Sequence, residues 1–181
     1  MLINDKSCKV RYTIAKNGYM LNKLVNDDNL LIIEELIKQK YNIGGFVKHE
    51  NFEIRKLVAK YRHRLDIFIN DEDWHVRREI AKHGQYLNIL IKDINPYVRV
   101  EVARHGYGLD VLVNDKDYHV RIEVANYEHM WDKLIKDPNW AVRYTIAING
   151  GYLDVLSKDP DPYITYIACE MKSRQLNNKE N

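Results

Sequence analysis

Apolar residues return along this chain with a fixed rhythm. The 22 residues from Ile69, INDEDWHVRREIAKHGQYLNIL, show it when numbered 1 to 22. Val76 at position 8 and Ile80 at position 12 are four apart and so share one helical face. Leu87, Leu90 and the next residue, Ile91, fall at i, i+3, i+4 and form a second apolar stripe. The pattern fills eight contiguous blocks beginning at Ile3, Val25, Val47, Ile69, Ile91, Val113, Ile135 and Ser157. Position 8 is Val or Ile in every block, and position 13 is alanine in six, small enough to let helices approach closely.

Polar positions punctuate the same blocks. Position 5 is always Ser, Asn or Asp, the residues that cap helix N-termini. Pro96 and Pro162 stand at position 6, where a first helical residue needs no bonded N–H. Gly18, Gly84, Gly106 and Gly150 stand at position 16, just past a helix end. These signals predict a long helix over positions 6–15 and a short second helix, 3₁₀ in part, from position 19. Neither helix can bury its face alone, but stacked copies can. The expected fold is all-α: a right-handed α-solenoid of eight 22-residue two-helix repeats, one domain over residues 1–178. Residues 173–181 read as a polar tail that frays.

Two blocks depart from the rule. Block 2 has Ile33 at position 9, where six blocks have arginine, and its Gly44–Gly45 pair should weaken the second helix. Block 1 starts without a polar cap, so Leu2 and Ile3 should be uncovered.

The motif DEDWHVRREIA, DINPYVRVEVA, DKDYHVRIEVA, DPNWAVRYTIA resembles the HEAT-like repeats of phycobilisome-lyase-type and alkylpurine DNA glycosylase-type proteins. The short unit also resembles the leucine-rich repeat variant, which alternates an α-helix with a 3₁₀ segment. The resemblance covers blocks 1 and 3 to 7 well, and block 8 in part. It implies an armadillo-like superhelix and leaves the activity open.

Net charge is +2, a weak pull towards nucleic acid or anionic membrane, and no apolar run approaches the ~18 residues of a membrane span. No membrane partner is therefore expected. The opening MLINDKSCKV lacks a secretory pattern, and Cys8 and Cys169 fall in the first and last blocks. A reducing cytoplasmic setting fits both features.

Two charged columns suggest a ladder. Position 9 is Arg11, Arg55, Arg77, Arg99, Arg121 and Arg143; position 3 includes Asp5, Asp71, Asp93, Asp115 and Asp137. The arginines could hold phosphates. The alternative, which the HEAT-like resemblance implies, is that each bridges to an aspartate or loop carbonyl of its own or the next block.

On the solvent side, blocks 5 to 8 become apolar and aromatic. Val100, Ile122, Tyr144 and Tyr166 occupy position 10, with Tyr97 and Tyr163 at position 7 and Ile148 at position 14. Contiguous exposed apolar surface marks interaction sites, and tyrosine is favoured there. These residues are the candidate surface for a partner protein or a second copy. The rival surface is a basic column at position 14, Lys16, Lys38, Lys60, Lys82 and Arg104, which could follow a nucleic-acid backbone. Glu35, Glu79, Glu101 and Glu123 at position 11 stand beside it and would repel phosphate. Sixteen basic and twelve acidic residues fall in 3–90, against eleven and thirteen in 91–178.

Seven histidines occur without a Cys or carboxylate set at ligand spacing, so no metal or cofactor is expected. His83 and His105 at position 15 read as polar edge-of-core residues. No nucleophile motif, phosphate loop or glycosylase-like constellation falls on matching positions. The chain reads as a non-catalytic scaffold.

Overall fold

The computed structural model describes residues 2–177. Among them every regular element is helical, with fifteen α-helical segments, two 3₁₀ turns and no strand. They fall into two compact units, Met1–Tyr86 and Leu87–Asn181.

In the first unit the long helices α1 (Cys8–Lys16), α3 (Leu30–Lys38), α5 (Phe52–Lys60) and α7 (Trp74–Lys82) alternate with single turns α2 (Leu21–Leu24), α4 (Ile43–Phe46) and α6 (Leu65–Phe68). Each long helix packs on the next in sequence. The second unit alternates single turns α8 (Leu87–Leu90), α10 (Leu109–Leu112), α12 (Trp131–Leu134) and α14 (Leu153–Leu156) with α9 (Pro96–Arg104), α11 (Tyr118–Val124), α13 (Trp140–Ile148) and α15 (Pro162–Asn177). There too α9, α11, α13 and α15 pack in sequence. Among the described residues no helix is long and apolar enough to cross a membrane.

The long helices begin where the polar punctuation puts them. Each N-cap side chain from Asn29 to Asp161 accepts from the amide two residues on, as Asp73 does from His75 at 2.8 Å. Most end at position 14, one residue earlier than the sequence pattern predicts. Positions 8 and 12 of blocks 2 to 8 are buried, as are the six alanines at position 13. The position-22 residues of the short helices, Leu24, Phe46, Phe68, Leu90, Leu112, Leu134 and Leu156, are buried as well.

The tight turn between the helices uses two left-handed residues. Position 16 has positive φ at Gly84 and Gly150, but also at Lys40 (58°) and Arg62 (59°). Position 18 has positive φ at Met20, Asn42, Arg64, Tyr86 and Tyr152, where no glycine gives it away in sequence. Block 6 lacks glycine at both positions and solves the turn differently. Its α11 stops at Val124, a 3₁₀ turn (Glu128–Met130) follows, and the Trp131 indole N–H donates to the freed Ala125 carbonyl at 2.8 Å.

The arginine column lies against these loops. Arg99 donates from Nε and Nη2 to both carboxylate oxygens of Asp115, at 2.6 and 2.7 Å, and from Nη1 to the Asp93 carbonyl at 2.6 Å. Arg55–Asp71, Arg121–Asp137 and Arg143–Asp159 repeat the geometry, and Arg11 meets Asp27 in the same way. The carboxylate belongs to the following block and the carbonyl to the arginine's own. Arg77 donates to the Asp71 and Glu72 carbonyls. Each position-3 carboxylate also accepts the amide of the N-cap residue two positions on, as Asp115 does from Asp117. Burial pushes the Asp159 carboxyl up, but hydrogen bonds from Arg143 and the Asp161 amide outweigh it and hold the group below the usual carboxylate range.

Block 2 shows what the pair requires. Ile33 replaces the arginine, and the aspartate it would have met is replaced by His49. Ile33 is buried, and His49 Nδ1 accepts the Asn51 amide at 3.0 Å in the aspartate's place. Both charges are lost together, so no buried ion is stranded. Block 8 has Thr165 at position 9, whose hydroxyl donates to the Asp159 carbonyl at 2.9 Å.

Three expectations need correction. Ile3 is not uncovered but buried, because the 3₁₀ turn Leu2–Asn4 packs against α1. The second helix of block 2 forms as α4 despite Gly44 and Gly45, with buried Phe46 anchoring it. The tail does not fray at 173. The last helix continues to Asn177, with Lys172 paired to Asp154 and Gln175 donating to the Gly150 carbonyl at 3.3 Å. Residues 178–181 lie outside the described residues.

Side chains of Arg99 and Asp115 are only 7% and 8% exposed. Asp115→Ala should therefore cost about 3–5 kcal/mol in urea unfolding, because it strands a buried guanidinium. Transplanting the pair from blocks 2 and 3, as Arg99→Ile with Asp115→His, should recover more than half of that loss. At Lys40 the backbone favours glycine, so Lys40→Gly should stabilise by about 1 kcal/mol, read as a higher melting temperature.

Candidate interaction face

All seven residues of the predicted apolar surface lie in the second unit. Tyr97, Tyr163, Tyr166 and Ile148 are exposed, while Ile122 and Tyr144 are half-buried. Val100 is not on the surface: it is buried, as is its neighbour Glu101. Helices packed about 8–10 Å apart cover the flanks of each other's side chains, so a short residue at position 10 disappears where a tyrosine still emerges. The continuous line expected from the helical wheel is therefore interrupted at its first member.

The exposed aromatic surface sits nearer the helix N-termini than position 10 suggested. Tyr144 and Tyr163 stack with ring centroids 5.6 Å apart and planes 13° apart. Trp140, half exposed, meets Tyr144 edge-on at 6.2 Å. Further along the same unit, His119 stacks on Tyr118 at 4.1 Å and meets Tyr97 at 5.9 Å. Its Nδ1 lies 3.0 Å from the N-cap carboxylate of Asp117, which orients the ring. Sequence reasoning missed Tyr118 and Trp140 because position 6 was read only as a helix start. The signal available was that blocks 3, 4, 6 and 7 place Phe52, Trp74, Tyr118 and Trp140 there. In the first unit His75 stacks on Trp74 and Phe52 in the same manner.

Lys172 and Gln175 of the last helix contact Asp154 and Gly150, on the side of α14. Glu101 and Glu123 both engage Arg104, at 3.0 and 3.1 Å, and Glu170 engages Arg174. A hydrogen bond with Tyr144, with that ring's charge adding to it, holds the Tyr163 phenol above its ordinary range.

The rival basic column is largely neutralised. Lys38 lies 3.7 Å from Glu35, Lys60 2.8 Å from Glu34, and Lys82 2.9 Å from Glu79. The Lys60 ammonium also rests 5.3 Å from the Tyr61 ring centroid. Burial pushes the Glu34 carboxyl up, yet hydrogen bonds from Lys60 and Tyr61 leave it below its usual range. Lys16 is exposed and makes no ion pair among the described residues. A phosphate backbone would have to displace a glutamate at each of the other four positions.

Position 15 has a structural use. His83 Nε2 lies 3.1 Å from the Ala59 carbonyl, and its Nδ1 lies 3.3 Å from Arg62 Nε. Gln39 caps the Ala15 carbonyl and Tyr127 the Arg104 carbonyl in the same way. Each thus closes the C-terminus of the preceding long helix. Among the described residues no group of three or more His, Cys, Asp or Glu is placed to hold a metal ion. Cys8 and Cys169 are exposed free thiols.

Removing the Tyr144 hydroxyl should be visible in solution. Tyr144→Phe is expected to return the Tyr163 phenol towards its ordinary ionisation, measured by ultraviolet phenolate absorbance during alkaline titration.

No protein-family model, curated protein or solved structure matches this chain.

Proposed function

We propose that this chain is a non-catalytic protein-interaction scaffold, a right-handed α-solenoid of eight two-helix repeats over residues 1–178, and that it works in a cytoplasmic setting. The resemblance to HEAT-like and leucine-rich-repeat-variant units supports the repeat reading. So does the recurrence of one capping, one turn and one Arg–Asp geometry from block to block.

The partner surface is the exposed aromatic face of repeats 5 to 8: Tyr97, Tyr118, Trp140, Tyr144, Tyr163 and Tyr166. One observation carries this reading. Trp140, Tyr144 and Tyr163 form a contiguous ring cluster that stays open to solvent. Aromatic rings have little rotamer entropy to lose and dominate protein-binding hot spots. Aromatic faces attract cations, so the exposed rings suit a partner segment carrying lysine or arginine among its apolar residues. Nucleic acid is disfavoured by the paired state of Lys38, Lys60 and Lys82.

The test is affinity capture followed by reconstitution with the purified captured protein. Tyr144→Asp combined with Tyr163→Asp should weaken that complex at least a hundredfold, at the scale of two lost hot-spot residues. Unchanged affinity, with unchanged association state by light scattering, would sink the proposal.

A further inference from the structure

The loop edge of the second unit has a chemistry opposite to that of its aromatic face. A cavity of about 330 Å³ is lined by Lys136, Pro138, Val155, Lys158 and Pro160. It brings positions 2, 4 and 21 of one block against positions 2 and 4 of the next. In the first unit, a cavity of about 350 Å³ gathers the same positions, at Asn4, Lys23, Asn26 and Asp28. Juxtaposition of these positions is thus a property of the repeat. By the same register Ile89, Lys92, Ile94, Val111 and Lys116 fall along the same edge of the second unit.

Two features of this edge stand out. Its aliphatic side chains point into water: Ile94 is 84% exposed, Val111 66% and Val155 52%. Its lysines are uncompensated, since Lys92, Lys116, Lys136 and Lys158 are exposed and make no ion pair among the described residues. The nearby acids are already engaged. Asp115, Asp137 and Asp159 hold the ladder arginines, Asp110 holds Lys133, Asp154 holds Lys172, and Asp132 accepts from the Tyr152 hydroxyl.

A nucleic-acid backbone would use the lysines but gain nothing from exposed isoleucine and valine. An apolar protein groove would use the aliphatics but gain little from four free ammonium groups. A bilayer surface uses both, with anionic headgroups meeting lysine and the acyl boundary taking short aliphatic side chains. We infer that the loop edge bearing Lys92, Ile94, Val111, Lys116, Lys136 and Lys158 docks peripherally on anionic phospholipid. The lysine stems lie along the apolar residues while their heads reach the phosphates. Nothing spans the membrane in this arrangement, and the aromatic face is left for a partner protein.

The experiment is co-sedimentation of the full chain with vesicles of phosphatidylcholine alone and of phosphatidylcholine with phosphatidylserine, alongside duplex DNA retention. The chain should sediment with the anionic vesicles only, and less as salt rises. Lys136→Ala with Lys158→Ala should lower that partition about twenty-fivefold, roughly fivefold for each lysine. Ile94→Ser with Val111→Ser, which leaves the charge unchanged, should lower it about tenfold. All four side chains are exposed, so circular dichroism melts should match the parent, and Lys92→Ala with Lys116→Ala provides a second lysine pair. No sedimentation with anionic vesicles overturns the inference. So does sedimentation that ignores the Ile94/Val111 change, which would mean charge attraction alone. Retention of duplex DNA without vesicle binding overturns it in favour of nucleic acid.

Discussion

A guanidinium that reaches from one block's helix to the next block's loop carboxylate is the constraint on which these blocks depend. In Arg55, Arg99, Arg121 and Arg143 the same side chain also ties down a loop carbonyl of its own block. The aspartate that receives it orients the amide of the following N-cap residue. One bidentate pair therefore fixes helix start, loop path and block-to-block spacing together. Taking both ions out of water carries a cost that only good geometry repays. That explains why Ile33 and His49 depart from the rule as a pair rather than singly, and why Thr165 takes over the carbonyl contact where the arginine column stops.

Around that pair the other interactions are secondary closures. Position-15 side chains from the next block satisfy C-terminal carbonyls that a three-turn helix leaves open. Left-handed residues at positions 16 and 18 reverse the chain in so few residues that each block stays 22 long. Block 6 meets the same length without glycine by ending its helix early and supplying an indole donor. Chemically distinct solutions thus converge on one register.

The register also separates surface chemistry by edge. Side chains near the N-termini of the long helices form aromatic rows, while loop positions 2 and 4 and short-helix position 21 form an edge of lysine and aliphatic residues. A helix only three turns long has little surface to share, so neighbouring blocks must contribute like residues at like positions to make a contiguous patch. In the second unit they do so twice, once with aromatic rings and once with lysine and aliphatic side chains.

Sequence alone determined the all-helical character, the starts of the long helices and the identity of the buried columns, because caps and four-residue spacing are local properties. It also marked the arginine and aspartate columns, although not which block each arginine would reach. Tertiary packing decided the rest. It buried Val100 while leaving Tyr163 and Tyr166 in water, since lateral cover depends on the neighbouring helix and on side-chain length. It protected Ile3 by packing the first 3₁₀ turn on α1, and it tied the last helix to Gly150 and Asp154. It assigned His83 to a carbonyl and gave left-handed conformations to Met20, Arg64 and Tyr152, which no local propensity favours. And it determined which lysines find a carboxylate and which do not, a question of distance that a helical wheel cannot answer.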